Sequence, residues 1–196
     1  SFGVAARLGT IVTGMDLRKG QAVVRLNEGE TLTADELVIR AGAESGRWLA
    51  PYGLGSSLQP MKGYSFTAPL GVDCPVSSIT DVARKLVFCQ LQGRVRVAGL
   101  AELGTADRTV AAKRFDYLLA TARDILPLAA DYAAAGEPWT GLRPMTPSSL
   151  PIVRRVRPGL SVNIGHGMLG WTFAMGSAER LANAMLGVAV AGHQSA

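Results

Sequence analysis

The chain has 196 residues, 48% of them apolar and 18% charged, a composition that can bury a core and excludes a disordered segment. Its 20 basic and 15 acidic residues give a net charge of +5. The arginines are nevertheless scattered, and the densest run, Arg154-Arg155-Val156-Arg157, is too short for a nucleic-acid footprint, so no nucleic-acid partner is expected.

The chain opens on Ser1-Phe2-Gly3 with no signal peptide in view, and strand-like sequence follows directly. From Ile11 to Leu32, β-like runs alternate with the turn signals Lys19-Gly20 and Asn27 to Glu30, which predicts a small β-meander. Glu36 to Ile39 is a short strand expected to be buried on both faces, with Arg40 unexpected at its end, and a helix is expected from Ala43 to Ala50. Gly63 to Leu70, Lys85 to Leu91 and Arg94 to Gly99 have β character and suggest an antiparallel sheet. Phe115, Leu118, Ala122 and Ile125 recur at helical spacing between Thr109 and Leu126, predicting an amphipathic helix over that sheet.

Four prolines between Glu137 and Pro151 suggest an extended surface crossing, followed by a strand, Leu160 to Ile164, and a last helix from Trp171 to about Val190. The most apolar stretch, Thr172 to Gly192, contains Glu179 and Arg180 and so reads as a buried helix; no transmembrane segment is expected. Two cysteines, Cys74 and Cys89, do not describe a disulfide scaffold, which favours a reducing compartment. The fold class is α/β of the mixed α+β kind.

Gly165-His166-Gly167-Met168-Leu169-Gly170 has GxGxxG spacing between a strand and a helix, the local context of a dinucleotide fingerprint. Too few residues follow Gly170 for the rest of a βαβ unit with an acidic ribose ligand, so NAD is not the expected ligand. Two readings remain open: a helix terminus whose free N–H groups meet an anionic or polar ligand edge, or a tight turn with no ligand.

Trp139 to Pro147 (WTGLRPMTP), then Leu150-Pro151-Ile152-Val153 and GHGMLGWTFAMGS, resemble the C-terminal signature of FAD-dependent D-amino acid dehydrogenases. Leu37 to Ser45, Pro60-Met61-Lys62-Gly63-Tyr64-Ser65, and Arg94 to Gly99 followed by Ala101-Glu102 are similar to the same family, in the same order. More broadly the pattern resembles the flavoenzyme superfamily of D-amino acid oxidase, glycine oxidase and sarcosine oxidase.

The resemblance implies a partial FAD-binding domain containing the β-meander, from about 1–55 and 138–196, and an antiparallel-sheet substrate domain at about 56–137. It also implies a preceding βαβ unit that grips the ADP half of FAD; that unit is not found in this sequence and would be a missing N-terminal half or another chain. Gly165, His166, Gly167, Met168, Leu169, Gly170, Trp171 and Thr172 would meet the flavin's pyrimidine edge, where a helix terminus stabilises the charge that develops on reduction. Val12, Ala41 and Gly42 would line the rest of the cofactor, and Arg143 would fork onto the substrate carboxylate.

Tyr64 either closes the pocket over substrate or is an ordinary strand tyrosine, and His166 belongs to the cofactor loop and not to proton transfer. Ser148-Ser149 stands where relatives usually have Asp-Gly, and Arg40 and Arg154 put charge where small residues are usual. The implied reaction is oxidation of a D-amino acid to the imino and oxo acid, with electrons passed to a quinone-type acceptor. Placement would be cytoplasmic or peripheral at the inner face of the cell membrane. A glycine- or sarcosine-type amine oxidase and a non-catalytic domain fragment are the alternatives.

Overall fold

The computed structural model describes residues 3–188. The alternating sequence at the start forms β1 (Val12–Arg18), β2 (Gln21–Leu26) and β3 (Thr31–Ala34). Lys19 and Gly20 both take positive φ, +51° and +83°, which gives the tight turn that joins β1 to β2. Next come β4 (Leu37–Ile39) and a short helix, α1 (Ser45–Leu49), preceded by a 3-10 turn at Gly42–Glu44. The middle of the chain holds β5 (Gln59–Pro69), β6 (Ile79–Asp81), β7 (Leu86–Leu91), β8 (Arg94–Leu103), α2 (Ala112–Ile125) and β9 (Trp139–Met145). The last elements are β10 (Ile152–Arg157), β11 (Leu160–Ile164) and α3 (Gly170–Leu186).

These elements divide into two compact units. The first takes the described residues up to Leu58 and from Thr146 onward; the second is Gln59–Met145. The second unit extends to Met145 because β9 is hydrogen-bonded along β5. Of the four prolines that suggested a surface crossing, Pro144 sits within that pairing. Pro144 lies on β9, an edge strand, opposite Pro60, which precedes the β5–β8 ladder beginning at Met61. At those positions no central ladder needs their absent N–H groups.

In the first unit, β1, β2 and β3 form an antiparallel meander in sequence order. A second sheet has the order β10-β11-β4, with β11 antiparallel to β10 and parallel to β4. As the central strand, β11 is buried throughout, and Leu160, Val162 and Ile164 pack with Ile39, Leu49 and Leu58. Its polar side chains find partners among the described residues except at Asn163 Oδ1, which is buried without one. Ser161 Oγ donates to Glu36 Oε1 at 2.5 Å, and Asn163 Nδ2 donates to Ser177 Oγ on α3 at 3.4 Å.

The strand expected to be buried on both faces is covered on one: Ile39 packs with Leu49, Leu160 and Val162, whereas Val38 is exposed and lines an open cavity. Arg40 and Arg154 are exposed, so neither puts its charge into a crowded interior. The last helix differs most from expectation. Only Ser177 and Leu181 of α3 are buried, while Trp171 is 95% exposed and Met175 83%, since a single face packs on β10 and β11. The helix stops at Leu186, where Gly187 adopts φ +69°; Val190 and Gly192 lie outside the described residues.

The second unit is one antiparallel sheet in the order β6-β7-β8-β5-β9. Alternation sends Tyr64, Phe66, Phe88, Val95 and Val97 to one face, where they meet Leu118 and Ala122 of α2. Phe115 and Ile125 pack against the same cluster, so all four positions of the expected helical stripe face the sheet. The other face carries Gly63, Ser65, Arg96, Trp139, Gly141 and Arg143, placed there by the register Ser65↔Trp139, Gly63↔Gly141 and Met61↔Arg143. α2 does not cover this side.

Candidate cofactor and substrate sites

In the first unit the chain leaves β11 through Gly165, which is buried with φ +78°. A Cβ there would stand 2.4 Å from Thr146 Cγ2, so both backbone angle and space require glycine. Gly167, at φ +55°, opens a 3-10 turn, Gly167–Leu169, and α3 follows without a side-chain cap at its start. Its first amides are left without side-chain partners, and the helix adds a partial positive charge at this end.

His166 lies in this turn. Its Nε2 is buried and has no hydrogen-bond partner among the described residues. Burial, with a smaller effect from Arg40, holds the imidazole below its ordinary range, so the ring is neutral at neutral pH. Met168, Leu169 and Trp171 are exposed, and Thr172 lines a cavity of about 520 Å³ with Pro151, Val153, Phe173, Ser177 and Arg180. In the preceding loop Ser149 has φ +60°, so serine occupies the left-handed position where Asp-Gly would supply glycine.

Val12 and Ala41 come together in a different cavity, of about 340 Å³, with Met15, Ile39, Arg40 and Trp48. Gly42 is adjacent, at φ +58°, and nothing lies within 4 Å of where its Cβ would be. Such a wall, mostly apolar with bare backbone at its edge, can take a flat heteroaromatic ring. None of Gly165 to Thr172 lines this cavity, so the expected cofactor residues fall into two groups within the unit.

The second unit has a cavity of about 430 Å³ on its uncovered sheet face, lined by Gly63, Ser65, Arg96, Arg108, Trp139 and Arg143 among others. Its size suits a small ligand. Arg143 lies directly over Gly63: a Cβ on that glycine would be 2.1 Å from the guanidinium Nη1. One donor of Arg143 reaches Leu100 O at 3.4 Å, and burial holds the guanidinium below arginine's ordinary value without neutralising it. Arg96 donates to Ser65 Oγ at 2.8 Å and stacks 5.4 Å from the centre of the Trp139 ring.

Tyr64 is held within the frame of the second unit. It is 1% exposed, its ring belongs to the apolar cluster, and its hydroxyl donates to Glu102 Oε2 at 2.7 Å. It contributes to the cavity wall as part of the frame. Lys62 belongs to the same network, donating to Thr109 O at 3.1 Å and lying 3.7 Å from Glu102 and 3.9 Å from Asp107. The Tyr64 hydroxyl, and less strongly Lys62, hold the Glu102 carboxyl below its ordinary range.

Sequence reasoning missed Arg96 and Arg108 as cavity residues. The signal for Arg96 was present, because Arg94-Val95-Arg96-Val97 alternates and buried valines force the arginines to the opposite face. Arg108 sits in the loop after β8, where no periodicity could place it.

A strand-to-helix glycine turn with an uncapped helix, and a separate substrate-sized cavity rich in arginine, describe a cofactor-dependent enzyme architecture. Residues 1–184 match the family described as FAD dependent oxidoreductase, and the chain belongs to that family. It is 40% identical over 189 residues to a D-amino acid dehydrogenase of Methylobacterium nodulans, covering 94% of this chain and 45% of the relative. It is 42% identical over 165 residues to D-amino acid dehydrogenase 2 of Ralstonia nicotianae, covering 79% of this chain and 39% of that protein. The fold is similar to that of glycine oxidase from Geobacillus kaustophilus, with a TM-score of 0.78 and 26% identity over 94% of this chain and 50% of the other. The chain thus spans about half the length of the curated relatives it matches.

The family's cofactor is FAD. The residues present fit a flavin edge on two observations: the unpartnered, buried His166 Nε2, and an uncapped α3 terminus approached through glycines that leave backbone bare. Among the described residues no helix is long and apolar enough to cross a membrane.

Proposed function

We propose that this chain carries the substrate-recognition unit and one edge of the flavin site of an FAD-dependent D-amino acid dehydrogenase. The reaction removes the Cα hydrogen and an amine hydrogen to give an imino acid, which water converts to the oxo acid and ammonia. FAD, when bound, supplies the two-electron acceptor. The observation that carries the reading is Arg143, held over Gly63 in a ligand-sized cavity with most of its donors unused. Its planar fork matches a carboxylate, and binding both oxygens fixes the Cα that reacts.

The Gly165–Thr172 loop would hold the flavin's pyrimidine edge, with the α3 terminus stabilising negative charge there and neutral His166 offering a hydrogen bond. Val12, Ala41 and Gly42 would take another part of the cofactor. Contacts to the remainder of FAD are assigned to polypeptide outside these 196 residues. Dehydrogenase is preferred over oxidase because the similarity to named dehydrogenases reaches 42%, against 26% for glycine oxidase. A quinone at the inner face of the cell membrane is the proposed electron acceptor.

In the flavin-loaded protein containing this chain, Arg143→Leu should raise KM for D-amino acids while FAD stays bound. Losing a charge-assisted fork costs about 1.5–3 kcal/mol, which is roughly tenfold to over a hundredfold. D-alanine should drive dye reduction without stoichiometric peroxide. Unchanged KM in the variant removes Arg143 as the carboxylate ligand.

A further inference from the structure

The sheet-face cavity is lined by three arginines, Arg96, Arg108 and Arg143, and by no aspartate or glutamate. Among the described residues none of the three forms an ion pair, although Arg7, Arg18, Arg47, Arg84 and Arg155 each have a carboxylate within 4.0 Å. Three guanidiniums without a carboxylate partner therefore share one cavity. Like charges gathered around about 430 Å³ repel one another, and an anionic occupant reverses that repulsion.

One substrate α-carboxylate accounts for one guanidinium fork, that of Arg143. Two guanidiniums remain, and that of Arg96 is held in position. Arg96 is fixed by Ser65 Oγ at 2.8 Å and by Trp139, and keeps further donors free. The loop bearing Arg108 is fastened to β9, because Thr140 Oγ1 donates to Arg108 O at 2.5 Å. An oriented Arg96 and an unpaired Arg108 lining the same cavity offer donors to a second anionic group on the same small ligand.

Resting on the reading of this cavity as the substrate site, we propose that its substrate is a dicarboxylic amino acid, D-glutamate or D-aspartate. Arg143 takes the α-carboxylate, and Arg96 with Arg108 takes the side-chain carboxylate. The amides D-glutamine and D-asparagine have nearly the same shape without the charge, so the ratio of kcat/KM between acid and amide isolates the second carboxylate. A charge-assisted hydrogen bond is about twice as strong as a neutral one.

The test measures kcat/KM for D-glutamate, D-glutamine, D-aspartate, D-asparagine and D-alanine with the flavin-loaded protein containing this chain, and with its Arg96→Gln, Arg108→Gln and Arg143→Leu variants. The acids should exceed their amides at least tenfold, and Arg96→Gln and Arg108→Gln should each bring that ratio down tenfold or more. Arg108 is exposed, so its variant stands as a test even where Arg96→Gln fails to fold. Amides turned over as well as acids, with Arg143→Leu still raising KM, would overturn the dicarboxylate assignment and leave the proposed function standing. If no D-amino acid is oxidised, both fall.

Discussion

Replacing Gly165 by alanine attacks the turn on which the candidate flavin edge depends. At φ +78° an L side chain costs about 1–2 kcal/mol. The added Cβ would also lie 2.4 Å from Thr146 Cγ2 and 3.3 Å from Leu58 Cδ2, within a buried site, and such overpacking costs about 1–3 kcal/mol. Together these give roughly 2–5 kcal/mol. For a chain of this size each kcal/mol lowers Tm by about 2–4 °C, so the expected fall is roughly 4–20 °C. Thermal unfolding followed by far-UV circular dichroism measures it. Thr146→Ser removes the clashing methyl and keeps the hydroxyl that donates to Leu150 O at 2.8 Å. The double variant should therefore be more stable than the sum of the singles by about 1–3 kcal/mol. A Gly165→Ala protein within about 0.5 kcal/mol of the parent would refute the reasoning.

His166 gives a pH dependence of defined sign. Burial lowers its pKa from 6.5 in the folded chain, so below that value the unfolded chain binds a proton that the folded one does not. Stability should then fall as pH drops from neutral toward about 5, above the range where carboxylates titrate. His166→Gln should flatten that slope, and equal slopes in parent and variant would contradict the burial of Nε2. Expressed alone, the 196 residues should not hold FAD at micromolar concentration. The loop offers a few backbone hydrogen bonds of ~1 kcal/mol each, whereas about 8 kcal/mol is needed. Calorimetric titration with FAD checks this, and a tight one-to-one complex would reveal a cofactor site not described above.

Much of the second unit was legible because its signals are periodic. Leu118 and Ala122 at helical spacing, and Val95 and Val97 at strand spacing, can be buried only by facing one another across a helix and a sheet. β9 was not legible. Pro144 argues against a strand unless the position is known to be an edge opposite another proline, which is a property of pairing and not of local sequence. β10 was hidden similarly, since Arg154, Arg155 and Arg157 look like solvated loop until Ile152 and Val153 are seen paired with β11. In the candidate site, Gly165 and Gly167 announced the turn through glycine spacing. The burial of Tyr64 and the convergence of Arg96 and Arg108 on Arg143 depend on tertiary register, which the sequence does not print.

Stereoselective reduction of bound flavin tests the assignment most directly. The flavin-loaded protein containing this chain is mixed anaerobically with D- and L-alanine and with D- and L-glutamate, and its flavin absorbance is followed. The D-enantiomers should bleach the flavin and the L-enantiomers should not. In Arg143→Leu the same bleaching should require at least about tenfold more D-amino acid. Bleaching by the L-enantiomers alone, or an unchanged D-amino acid requirement in the variant, would contradict a D-amino acid dehydrogenase that grips its substrate through Arg143.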